Sequence, residues 1–180
     1  MSPFRTIPFL LAFILAGSLA QAQSPLIRYG AKVPAEVETI YERGLGWLVQ
    51  NQGESGSWEG DGEHGITGMC VMAMMASGQD PNFGRYSTPI RRALRHMIMG
   101  QDPKTGYLGD SMYHHGFAML GLSEAYGAVD DTLIWEGNED QNRRRSIGAA
   151  LELAVSCAAI SQKNNRWGGW RYSPESSDAD

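Results

Sequence analysis

A recurrence constrains this chain more than any other feature of it. Gln52 precedes Trp58 and Gln101 precedes Tyr107, the two pairs being offset by 49 positions, and the same offset carries Gly78 onto Gly127. Between these anchors, residues 68–77 (GMCVMAMMAS) align with residues 117–126 (FAMLGLSEAY), and both stretches are apolar and helix-compatible. Gln162 and Trp170 suggest a third copy, two residues longer between its anchors. Self-similarity at a period of roughly 20–50 residues marks an array of stacked units, none of which buries its apolar face alone.

Each unit has the same internal order: a helical stretch, a glycine-rich loop ending in an aromatic residue, and a second, more apolar helical stretch. Val37, Ile40, Leu45 and Leu48 fall near helical spacing and predict a first helix over residues 34–51. The next ten residues, GESGSWEGDG, are turn chemistry and end it. A second helix is expected over 65–76, apolar on nearly all sides, with Gly78 as its C-terminal cap. In that helix Met69, Met72, Met74 and Met75 read as adaptable core filling. In the second unit, Ser87, Thr88 and Pro89 supply an N-cap and a first-turn proline for a helix to residue 100. Its partner is expected over 114–125. An acidic connection over 129–142 contains Ile134 and Trp135 and leads to a third first helix over 142–161. The expected fold is all-α: helix hairpins in about two and a half repeat units. After Trp170 the chain continues only to Asp180, so the second helix of the third unit does not follow. The reading is of an N-terminal part of a longer protein, or of a short protein that pairs its open end with another copy.

Composition narrows the function classes. With 42% hydrophobic and 19% charged residues, one modest core is affordable. A net charge of −5, with no basic run longer than Arg143, Arg144 and Arg145, gives nucleic acid nothing to recognise. Arg5, an apolar run over 7–16 and the small-residue stretch Ala20, Gln21, Ala22 read as a signal peptide over 1–22. The run is too short for the roughly 30 Å of hydrocarbon in a bilayer, and no second apolar segment of membrane-spanning length follows. The mature domain then covers 23–180, is periplasmic or secreted, and has no stable transmembrane span. Outside the cytoplasm Cys70 and Cys157 are free to bridge, or to remain two buried thiols.

The stretch from Arg43 to Trp58 (RGLGWLVQNQGESGSW) carries a basic residue, a small residue, an aromatic, an aliphatic, Gln52, Gly56 and Trp58 at the defining positions of the QW motif. The chain therefore resembles the squalene cyclases and prenyltransferase β subunits. The second copy keeps Arg92, Ala93, Met97, Gln101 and Gly106 with Tyr107 in place of tryptophan; the third keeps Ala154, Gln162, Gly168 and Trp170, with Cys157 where an aromatic is expected. The resemblance covers most of 34–172 and implies a partial α/α toroid. In that family the glutamine bonds the end of a neighbouring helix while the aromatic packs over it, so the motif is structural. An amide that both donates and accepts suits that task.

Catalysis is less well marked. A cyclase of this family protonates an alkene through a DxDD motif, and the nearest string is Asp178, Ala179, Asp180, which lacks the following acid. A prenyltransferase of this family holds zinc through Asp, Cys and His, for which His64, Cys70, His114 and His115 are the candidate ligands, without that family's Asp-x-Cys spacing. The loop acids Glu59, Asp61, Glu63 and Asp110 stand just before the second helices, where they serve acid–base chemistry on a polysaccharide or complement helix N-termini. No GxxxxGK[ST], GxSxG, HExxH or CxxC occurs. The sequence therefore points to a binding or scaffold role for a protein or apolar ligand. A terpenoid cyclase with its acid motif downstream and a carbohydrate-processing α/α barrel are the alternatives.

Overall fold

The computed structural model describes residues 33–58, 63–137 and 144–176. The expected signal peptide, Glu59, Asp61, Asp178 and Asp180 lie outside them, as does the side chain of Glu63. All regular structure among the described residues is helical: α1 (Ala35–Gln50), α2 (Glu63–Met75), α3 (Ser87–Gly100), α4 (Met112–Ala125), α5 (Asp131–Ile134) and α6 (Ile147–Asn164). The chain divides into two compact units, Met1–Ile40 and Tyr41–Asp180. Of the first, the described part is residues 33–40, which include the opening turns of α1, where Thr39 bonds back to the Ala35 carbonyl (2.8 Å).

The closest packing in the second unit is α2 against α4, which run in the same direction. Gly68 lies so near Phe117 and Ala118 that a methyl group there would meet their backbone, and Gly121 faces the backbone of Gly68 in turn. Gly65 similarly faces the Cα of His114. Glycine is required because only a bare Cα lets two backbones approach this closely. The 49-residue offset of the sequence thus reappears as neighbours in space, with residue 65 on 114 and 68 on 117. Around this pair Val71, Met74, Leu94, Met97, Ile98 and Leu122 form a fully buried core. Burial of side chains this size is worth about 1.5–3 kcal/mol each before entropy is counted.

Several sequence expectations are corrected. Val37 and Ile40 are exposed, and Leu45 is the buried residue of α1, because periodicity identifies a face without saying what covers it. Of the four methionines expected to fill the core, Met74 does so, Met72 and Met75 are partly buried, and Met69 is exposed. Helix α3 begins at Ser87 itself. Its cap position is Tyr86, and no side chain caps it, since Pro89 as the third helical residue still tolerates the missing N–H. Helix α6 starts at Ile147, later than residue 142, because Ser146 accepts from the Ala149 N–H (3.0 Å) and supplies the cap. Within the acidic connection, Asp130 caps the short α5, and Asp131 accepts from the Ile147 N–H (2.6 Å). Cys70 and Cys157 are both free and buried.

Candidate functional site

The recurring glutamines build the same junction twice. The Gln52 amide nitrogen donates to the Gly56 carbonyl (2.8 Å) and to the Pro89 carbonyl in the first turn of α3 (2.9 Å). The Gln101 amide nitrogen donates to the Gly106 carbonyl (2.9 Å) and to the Ala150 carbonyl in the first turn of α6 (2.8 Å). Both loop glycines have positive φ, 97° and 76°, and lie flat on a helix carbonyl three residues further on, that of Arg92 or Leu153. The next residue along each helix is an alanine, Ala93 or Ala154, with no exposed surface. A side chain larger than methyl would hold the loop away there. Arg92 reinforces the first junction by donating to the carbonyls of Gly53 (2.6 Å) and Glu54 (3.0 Å).

The aromatic residues differ among the copies. Trp58 is buried and its indole N–H donates to the Leu48 carbonyl (2.8 Å). Tyr107 has no such donor and instead stacks on the His115 ring, centroids 5.5 Å apart. Its hydroxyl pKa is pushed up to about 12, by burial first and then by the charges of Asp110, Cys157 and Glu175. Trp170 donates to the Ala158 carbonyl (2.8 Å) but stands half exposed. Gln162 makes the loop bond, to Gly168 (3.1 Å), and is itself exposed.

Two cavities flank α6. One, of about 390 Å³, is lined by Met112, Tyr113, Met119, Ala158 and Trp170, with His115 and Arg171 beside them. It sits between the first half of α4, the C-terminal half of α6 and the segment after Trp170, which is tied to α4 by the Met112 N–H donating to the Tyr172 carbonyl (2.9 Å). The other, of about 470 Å³, is more polar and is lined in part by Tyr107, Asp110, Cys157, Ser161 and Glu175.

The zinc candidates do not converge. His115 is fully buried with both nitrogens committed: the Leu108 N–H donates to Nδ1 (3.1 Å), and Nε2 bonds the Ala154 carbonyl (3.0 Å), which fixes a neutral tautomer. The His114 ring nitrogen Nδ1 pairs with the Ser111 hydroxyl (3.2 Å), which also caps α4 by accepting from the His114 backbone N–H (3.3 Å). His64 stands beside His96, ring centroids 5.1 Å apart. The thiol of Cys70 is pushed up to about 11 by burial, the opposite of what a metal ligand requires. Among the described residues no three His, Cys, Asp or Glu side chains lie together as metal ligands would. Of the loop acids whose side chains are described, Asp110 is exposed at the rim of the polar cavity.

His96, Ala150 and Leu108 take part in these arrangements without having been marked by the sequence, and Pro89, marked as a first-turn proline, takes part through its carbonyl. His96 stands 49 residues after Trp47, so the offset was a signal for it. The carbonyl partners carry no signal, because any residue presents a carbonyl.

No described helix is long and apolar enough to cross a membrane. No family model matches the chain, and no match is found among curated proteins or solved structures.

Proposed function

We propose that this chain is an exported α/α-repeat domain of the squalene-cyclase and prenyltransferase kind that binds an apolar or protein ligand and acts as a scaffold, without transforming what it binds. The observation that carries this reading is the cavity of about 390 Å³ beside Trp170. Its size is that of a small-molecule or side-chain site, and its walls are largely apolar with an arginine at one side, the composition that favours desolvation over acid–base chemistry. Trp170 and Tyr113 are both exposed there, so a ligand would cover aromatic surface now in contact with water.

The test is fluorescence titration of the purified chain with anilinonaphthalene sulfonate and with squalene, alongside product analysis of the squalene incubation. Binding that quenches tryptophan emission and weakens in Met119→Glu supports the reading. Cyclic product from squalene overturns it in favour of a terpenoid cyclase, and absence of binding by both probes overturns the apolar site.

Carbohydrate processing is favoured by one specific observation. Asp110 and Glu175 line the same polar cavity and both raise the pKa of Tyr107. Release of reducing sugar from a polysaccharide, lost in Asp110→Asn, would establish it.

A further inference from the structure

We propose that the Gln162–Trp170 end of the chain seats the α1 face of a second copy, so that copies associate head to tail. This names the partner in the binding role proposed above and rests on it. The two junctions inside the chain define what such a seat requires. A glutamine amide uses one hydrogen on a loop glycine and the other on the following helix, the glycine lies on that helix's backbone, and a small residue of the helix admits the loop.

The third seat is built but uncovered. Gln162 makes its loop bond to Gly168, and Trp170 makes the same kind of indole-to-carbonyl bond as Trp58. Gly168 has a φ of 71°, close to that of Gly106, yet a methyl group on it would meet nothing within 4 Å, whereas Gly56 and Gly106 abut a helix carbonyl. Among the described residues, the Gln162 amide has no second acceptor corresponding to Pro89 or Ala150.

Helix α1 presents the complementary surface. An offset of 49 residues brings Arg43, Gly44 and Trp47 into register with Arg92, Ala93 and His96 on α3, and an offset of 110 with Leu153, Ala154 and Cys157 on α6. The alanines at this register are fully buried. Gly44, equally small, is exposed, with nothing within 4 Å of the place its side chain would occupy. Arg43 and Trp47 are exposed on either side of it. Arg92 bonds the two carbonyls that follow Gln52, so an arginine at the same register would reach the carbonyls of Lys163 and Asn164 at the C-terminal end of α6. That end carries the negative pole of the helix and carbonyls with no donor in the helix itself. The interface between copies is thus a continuation of the two junctions within each. Because the surfaces that meet are different, the contact is heterologous and does not close at a dimer.

The experiment is sedimentation equilibrium on the purified chain over a wide concentration range, with two variants that each spoil one surface. Gly44→Glu blocks the α1 face and Gln162→Glu blocks the seat; both positions are exposed, and circular dichroism checks that each variant keeps the parental helix content. Arg43→Glu substitutes for Gly44→Glu if that variant fails to fold. The parent is expected to grow beyond a dimer with concentration, each variant alone to associate at least about tenfold more weakly, and an equimolar mixture of the two to stop at two copies. A parent that stays monomeric, variants that associate like the parent, or a mixture that does not pair would each overturn the proposal. Monomeric behaviour with probe binding intact removes the second copy and leaves the binding role. Loss of both removes the role as well.

Discussion

The Gln101 and Gln162 regions use the same residue types and make the same bond from glutamine to loop glycine, yet one is fully buried and the other open. The difference is the helix on the far side. Gln101 has α6 against it, and its loop glycine lies on the backbone of Leu153. Gln162 has only its own loop among its described partners. A motif of this kind shapes a loop by itself, but it contributes to stability only when a second helix is present to use the other amide hydrogen and to bury the glycine.

Substitutions at matched positions should break that comparison in graded steps. Gly106→Ala brings a methyl group onto the Leu153 carbonyl at a φ of 76°, so urea unfolding should show a loss of about 3 kcal/mol or more, at the upper end of single-site effects. Gln101→Ala removes both donated bonds at a buried site and should lose about 2–3 kcal/mol in the same measurement.

His115 gives a pH dependence of known sign. Burial holds its pKa below the ordinary 6.5, opposed in part by the bond to Ala154. The unfolded chain therefore takes up a proton first as pH falls, and the contribution of His115 is complete above pH 6.5 and declines below it. Thermal melts should show Tm falling between neutral pH and pH values below 6.5, with a shallower fall in His115→Gln. Gly168→Ala meets no neighbour and should lose only the roughly 1 kcal/mol of a left-handed alanine. At protein concentrations low enough to keep the chain monomeric, Gln162→Ala should change stability by less than about 0.5 kcal/mol. If the two Gln162-end variants matched their Gln101-end counterparts, the open seat would have to be covered in solution.

The sequence made one half of each junction legible. Gln52, Gly56 and Trp58, and their counterparts, were recognisable because amide, bare Cα and indole are chemically distinctive and fall at fixed spacing. Of the other half, Ala93 and Ala154 were marked as the small position of the motif, whereas the carbonyls of Pro89 and Ala150 were not, since any residue presents a carbonyl. That residues 49 apart, such as Gly65 and His114, lie against each other was not read from the offset, and the start of α6 was misplaced because Ser146 sets it and the polar residues before it do not. For α1, the helical spacing of Val37, Ile40, Leu45 and Leu48 matches the helix but does not say what covers it: Leu45 is buried, whereas Val37 and Ile40 are exposed.

A single amide nitrogen joined to two carbonyls acts as a coincidence detector. At Gln101 the loop bond to Gly106 and the helix bond to Ala150 are satisfied together only when the loop is closed and α6 is in its place. A slip of one residue in either partner forfeits a bond at a buried site. The loop and the helix beyond it therefore have every reason to order and to melt as one event. At Gln162 the described residues make the loop bond alone, so in the monomeric chain amide exchange should run faster through the last turn of α6 than through the last turn of α3.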